Sequence, residues 1–220
     1  MPNAPSSPAL IDIDIDAVRA AALSCTKCRL AAGRTQVVWA AGNLEADLLF
    51  IGEAPGFHED REGEPFVGAA GQLLDKLLGE IELDRTKAAI VNVIKCRPPS
   101  NRDPQEDEIE ACRPYLEAQI GHMAPRVIVT LGNFATKFIL ESSVGITRAR
   151  GRKYRRGEAT VVPTFHPAAA LRGGRFGGVS PIDAMRQDFS VVRAVLDEPP
   201  PETRPPVEDD AAASEQLDLF

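Results

Sequence analysis

Four short apolar runs recur along the chain, at Asp47 to Gly52 (DLLFIG), Ala88 to Ile94 (AAIVNVI), Arg126 to Gly132 (RVIVTLG) and Ala159 to Phe165 (ATVVPTF). None alternates apolar with polar residues as a strand with one wet face would, so each reads as a strand buried on both sides. Between them lie stretches of helical period: Gly71 to Leu83, with Leu73, Leu74, Leu77 and Leu78 on one face, then Glu106 to Ile120 and Asn133 to Glu141. A last helix is predicted over Ile182 to Leu196. Strand alternating with helix calls for right-handed crossovers. The predicted fold class is α/β, a three-layer α/β/α sandwich about a central, mostly parallel four-stranded sheet. In such sheets sites form at the carboxyl ends of the strands. Here those ends carry Gly52-Glu53-Ala54-Pro55-Gly56, Asn92 to Cys96, and His166-Pro167.

With 220 residues and 44% apolar content, the chain is long enough for one domain with a real core. The net charge of −7 argues against a nucleic-acid binder only until the last 24 residues are set apart, since they hold eight acids and one base. Met1 to Leu196 is then neutral. From 197 the Pro-rich, acidic composition predicts a disordered tail, and residues 1–15 read as a flexible N-terminus, leaving 16–196 as the domain. There is no apolar run of about 18 residues and no basic-then-apolar leader, so a cytoplasmic protein away from membranes is expected. Arg148, Arg150, Arg152, Lys153, Arg155 and Arg156 concentrate positive charge in one short stretch. Such a run is either a solvated basic hairpin or a footprint for a phosphate backbone.

The four cysteines are Cys25 and Cys28 in one CxxC pair, then Cys96 and Cys112. In a cytoplasmic chain this spacing favours a metal or cluster over disulfides. Spacing alone leaves a structural zinc and a four-iron cluster equally open, with a redox CxxC as a third reading.

The glycines and proline of Gly52 to Gly56 fit a tight loop whose amides face a ligand. Phe66 precedes a helix and reads either as a stacking ring or as core. Asn92 interrupts an apolar strand, and its buried amide must find both a donor and an acceptor partner. His166 ends the last strand.

Together these segments resemble the family-four uracil-DNA glycosylases, the thermostable-type, iron–sulfur branch of that superfamily. The resemblance spans Cys25 to Leu196. It is carried by GEAPGFHEDREGEPFVGAAGQLLD (Gly52 to Asp75), VNVIKCRPPSNRDP (Val91 to Pro104), ACRPYL (Ala111 to Leu116), TLGN (Thr130 to Asn133) and HPAAALR (His166 to Arg172). It implies a hydrolase that flips uracil out of DNA and cleaves its N-glycosidic bond to start base excision repair. It also implies a 4Fe-4S cluster on Cys25, Cys28, Cys96 and Cys112. In the pocket, Gly52 and Ala54 would frame the base, Phe66 would stack on it, Asn92 would read its Watson–Crick edge and Glu59 would wall off the thymine methyl. His166 would donate to O2, while Glu53 would orient water or stabilise a cationic sugar. Other branches carry an aspartate where this chain has Ala54, which leaves the part played by Glu53 open.

The same resemblance makes His166 to Arg172 a loop entering the minor groove, with Leu171 and Arg172 as wedge candidates. Arg150, Arg152 and Lys153 would be DNA contacts leading into it. A covalent uracil-trapping relative uses a histidine in an extra basic loop, and no histidine lies between Cys96 and Cys112. A non-catalytic binding or recruitment module is the other alternative. At the C-terminus, Gln216-Leu217-Asp218-Leu219-Phe220 resembles the short motif by which bacterial repair and replication proteins dock on the DNA sliding clamp. The expected partners are therefore uracil-containing DNA and that clamp, for a nucleoid-associated, monomeric enzyme.

Overall fold

The predicted runs form the centre of the sheet as strands β2 (Leu48–Gly52), β3 (Ala89–Asn92), β4 (Val127–Leu131) and β6 (Ala159–Thr164). These come from a computed structural model that describes residues 13–199 other than 174, 176 and 177. Most of the proposed flexible N-terminus, and the tail from 200 onward with Gln216 to Phe220, lie outside the described residues. All pairings among the four central strands are parallel. The sheet is nevertheless six-stranded, in the order β1-β3-β2-β4-β6-β5. The expected count of four is corrected by two short antiparallel edge strands, β1 (Ala41–Gly42) against β3 and β5 (Tyr154–Arg156) against β6.

Strand side chains alternate between two cores, as the period of an extended chain requires. Leu49 and Ile51 of β2 face the core shared with Trp39, Tyr115, Leu116 and Phe138. Leu48 and Phe50 face the other, with Leu74, Leu77, Leu78, Met185 and Phe189. Helices α1 (Ile15–Leu23), α4 (Glu106–Met123) and α5 (Asn133–Leu140) cover the first face. α3 (Ala69–Glu80) and α8 (Pro181–Asp197) cover the second. Three short α-helices, α2 (Phe57–Glu62), α6 (Ile146–Ala149) and α7 (Pro167–Leu171), lie among the remaining described residues.

Local chemistry explains the long helices. α4 opens on three acids, Glu106, Asp107 and Glu108, which favour the positive end of the helix dipole. Glu108 also accepts from the Gln105 amide at 2.9 Å, closing the first turn. α8 starts with Pro181 at its first position, where a missing amide proton costs nothing. Among the described residues no helix is long and apolar enough to cross a membrane.

Candidate active site

The carboxyl ends of β2, β3 and β6 border a cleft of about 410 Å³, whose lining includes Glu53, Phe66, Asn92, Asp103, His166 and Arg172. Parallel pairing sets Gly52 directly beside Asn92. A Cβ on Gly52 would stand 2.3 Å from Asn92 Oδ1 and 2.7 Å from the Phe66 ring, so only glycine fits between them. Asn92 is 2% exposed, and its Oδ1 has no hydrogen-bond partner. A buried acceptor left open in this way is costly unless a ligand donates to it.

Phe66 reaches the cleft from a strained backbone, with φ of +57°. Arg85, itself paired with Asp75 at 2.7 Å, donates to the Phe66 carbonyl at 2.5 Å and holds that conformation. The turn into α3 passes so close that a Cβ on Gly71 would lie 1.6 Å from the same carbonyl oxygen. The Phe66 and His166 rings stand 5.5 Å apart, tilted by 31°. His166 caps α7, and its Nδ1 accepts from the Ala168 amide at 3.2 Å. That bond leaves the proton of a neutral imidazole on Nε2. Burial and the neighbouring Arg172 push the His166 pKa down to about 4, against a smaller opposing effect of Glu59.

Glu53 is the opposite case, since burial and the Asp103 charge push its pKa up to about 7. Glu59 is held in the cleft wall, because its carboxylate accepts from the amides of Gly56 at 3.1 Å and Gly68 at 3.3 Å. Asp103 and Lys95 were not singled out in the sequence. Lys95 is fully buried and donates to the Asn92 carbonyl at 2.8 Å and to Gln119 Oε1 at 2.5 Å.

Behind β3, Cys25, Cys28, Cys96 and Cys112 are free thiols lining one small cavity. Three N–H groups point at their sulfurs: Lys95 N at Cys112 (3.2 Å), Arg34 Nη1 at Cys96 and Lys27 N at Cys25 (both 3.5 Å). Glu108 also lines the cavity, but its carboxylate is already held by Arg102 at 2.5 and 2.9 Å. Among the described residues no group of three or more His, Cys, Asp or Glu is arranged to hold a metal ion.

The family model described as the uracil DNA glycosylase superfamily matches residues 39–189. The chain belongs to that superfamily. A type-4 uracil-DNA glycosylase of Sulfurisphaera tokodaii is 45% identical over 188 residues, covering 81% of this chain and 83% of the relative. One from Thermotoga maritima is 47% identical over 150 residues, covering 67% and 78%. A type-5 uracil-DNA glycosylase of Pyrobaculum aerophilum is more distant, 29% identical over 153 residues, with 62% and 66% covered.

Two expectations for this uracil-DNA glycosylase superfamily member change with the structure. The segment after His166 is a helical turn, α7, and not an open loop, since Pro167 is fixed at a helical φ and three alanines follow. It presents Leu171, 53% exposed, with Arg172 as its C-cap. The basic run also divides. Arg150 forks onto buried Asp188 at 3.0 and 3.1 Å and lies 5.5 Å over Phe165, so its guanidinium is built into the packing of α8 and is not offered to a phosphate. Register then separates the rest: Tyr154 opposes Val161 and Arg156 opposes Ala159, so Arg155 and Arg156 run away from the cleft. Arg152 and Lys153 are both exposed, and the Lys153 ammonium lies 3.9 Å from the Glu198 carboxylate just after α8.

Proposed function

We propose that the cleft is where a uracil-DNA glycosylase excises a flipped uracil, the carrying observation being that Phe66, Asn92 and His166 line one cleft at the carboxyl end of the parallel sheet in a chain of this superfamily. The open Asn92 Oδ1 suits the N3–H of uracil, and its amide N–H₂ suits O4. Phe66 offers a ring face that its braced backbone cannot withdraw. Glu59, fixed by two amides, is the wall against the C5 methyl of thymine.

Cleavage breaks the bond between C1′ and N1, and the electron pair leaves with the base. His166 faces that charge as a neutral Nε2–H donor at O2, as its bond from Ala168 supports. The ionised Glu53 carboxylate stabilises the oxocarbenium-like sugar or orients the water that attacks C1′. Leu171 fills the gap left by the base, Arg172 takes a phosphate beside it, and Arg152 and Lys153 extend that contact.

The four thiols would hold the 4Fe-4S cluster. They surround a cavity instead of converging on a point, three N–H donors already face sulfur, and the one acid present is engaged elsewhere, which suits a cluster better than zinc. When bound, the cluster supplies a crosslink among the N-terminal segment, the end of β3 and α4. Brown protein with broad visible absorbance, lost together with Cys112→Ala, supports this; colourless protein carrying zinc overturns it.

The function itself is tested by incubating a labelled uracil-containing oligonucleotide and cleaving abasic sites with alkali. Strand breaks at uracil and none at thymine are expected. Intact strands contradict the enzyme reading, and a uracil-DNA adduct surviving denaturation would instead favour the covalent relative. Gln216 to Phe220 remains the proposed sliding-clamp docking segment, its apolar side chains filling a pocket on the clamp. Clamp binding unchanged by its deletion would dispose of that.

A further inference from the structure

Phe57, the first residue of α2, leaves 45% of its surface exposed, although a ring of that size is usually buried. Two guanidiniums flank it, with Arg97 Cζ 5.0 Å and Arg61 Cζ 5.5 Å from the ring centroid. His58 meets the ring edge-on at 5.4 Å. The two arginines come from different elements, Arg61 from α2 and Arg97 from the segment after β3. Arg97 is fixed by donating from Nε to Asn101 Oδ1 at 2.7 Å.

This group adjoins the cleft on two sides. Gly56, immediately before Phe57, lines the cleft, and so do Pro98 and Asn101 beyond Arg97. Two acids of α2 are engaged elsewhere. Glu59 is turned onto the amides of Gly56 and Gly68, and Asp60 onto that of Thr35 at 2.9 Å. Phe57 and Arg61 follow β2 and Arg97 follows β3, whereas Leu171 and Arg172 follow β6, on the far side of β4. An exposed aromatic with a cationic rim thus sits across the cleft mouth from the wedge.

We propose that Phe57, with Arg61 and Arg97, is a second DNA-binding subsite on which a base neighbouring the flipped uracil stacks while the guanidiniums take the adjoining phosphates. It rests on the reading of the cleft as the uracil site. Flipping removes a stacking partner from each neighbouring base, and an exposed ring replaces it without regard to sequence, since every base has a π face. Arginine strengthens such a platform and neutralises the backbone beside it. Anchors on both sides of the cleft hold the strand across it.

The test compares wild type, Phe57→Ala and Phe57→Trp on a single-stranded uracil oligonucleotide. Phe57→Ala is expected to raise KM about tenfold, as loss of one base–aromatic stack does, with kcat nearly unchanged. Phe57→Trp should restore it. In parallel, 2-aminopurine is placed at each neighbour in turn of a non-cleavable uracil analogue. Wild type should quench one of the two positions and Phe57→Ala neither. Wild-type KM in Phe57→Ala, or the same quenching in both proteins, overturns the subsite. The fluorescence titration reads the platform even if no uracil is released, so failure of the glycosylase reading is a separate result.

Discussion

Lys95 donates from its ammonium to the Asn92 carbonyl at 2.8 Å, while its backbone amide points at Cys112 Sγ at 3.2 Å. One residue therefore joins Asn92, the proposed reader of the base, to the cysteine cavity. The same ammonium holds Gln119 of α4, whose Nε2 donates to the Trp39 carbonyl at 3.1 Å. Lys95→Met keeps the volume and removes the donors, leaving two buried acceptors open. A loss of about 2 kcal/mol in chemical denaturation is expected, together with weaker inhibition by free uracil. Unchanged uracil inhibition would show that Asn92 does not need this support.

Gly52→Ala is the smallest change that disturbs the pocket. The new Cβ would press on Asn92 Oδ1 and on the Phe66 ring at once, and neither can retreat, because Asn92 is buried and Phe66 is braced through Arg85. A loss of about a hundredfold in kcat/KM is expected for a displacement of this kind. Its circular dichroism should match wild type. Wild-type kinetics would mean that the two side chains are not held as described.

The two titrating groups predict the pH profile. In the proposed mechanism Glu53 acts ionised, and burial pushes its pKa up to about 7, so kcat/KM should fall about tenfold per unit as pH drops below that value and level off above it. His166 is already neutral down to about 4, so no further limb is expected near 6.5. Glu53→Gln should remove the limb along with most of the activity. Stability carries the opposite signs. The folded chain holds the Glu53 proton that the unfolded chain releases, so Glu53 lowers stability as pH rises from about 4.5 to 7. For His166 the unfolded chain binds the extra proton, and stability is lost as pH falls from 6.5 toward 4. Profiles of Glu53→Gln and His166→Ala denaturation against pH check both signs.

The basic run separates into structural and exposed members. Arg150→Ala takes the paired cation from Asp188, which is 1% exposed, and should cost roughly 3–5 kcal/mol. Arg152→Ala should leave the denaturation midpoint alone and lower the slope of DNA affinity against salt by about one. Equal effects of the two substitutions on stability would contradict this division.

How far the sequence foretold these features follows from the range of each interaction. The four parallel strands were legible because their apolar runs have no polar alternation, and the long helices because their periods span several turns. β1 is two residues long and β5 lies inside the charges of Tyr154–Arg156, so neither carries a strand pattern. Arg150 looked like its neighbours because its partner Asp188 lies in another element. Glu53 and Asp103 are likewise far apart in sequence and meet only through the loop after β3. Lys95 reads as one more cation until the fold buries it. The segments converging on the cleft were recognisable as motifs, but the glycine contacts that hold Asn92 and Phe66 together belong to the folded backbone.

The most direct measurement is the amount of free uracil released under single-turnover conditions by wild type, Asn92→Ala and His166→Ala. Wild type should release one uracil per substrate strand. Asn92→Ala should be slowed by at least about a hundredfold through lost base reading, and His166→Ala by a similar factor through the lost donor at O2. No uracil from wild type, or equal rates from all three proteins, would contradict the assignment of this cleft.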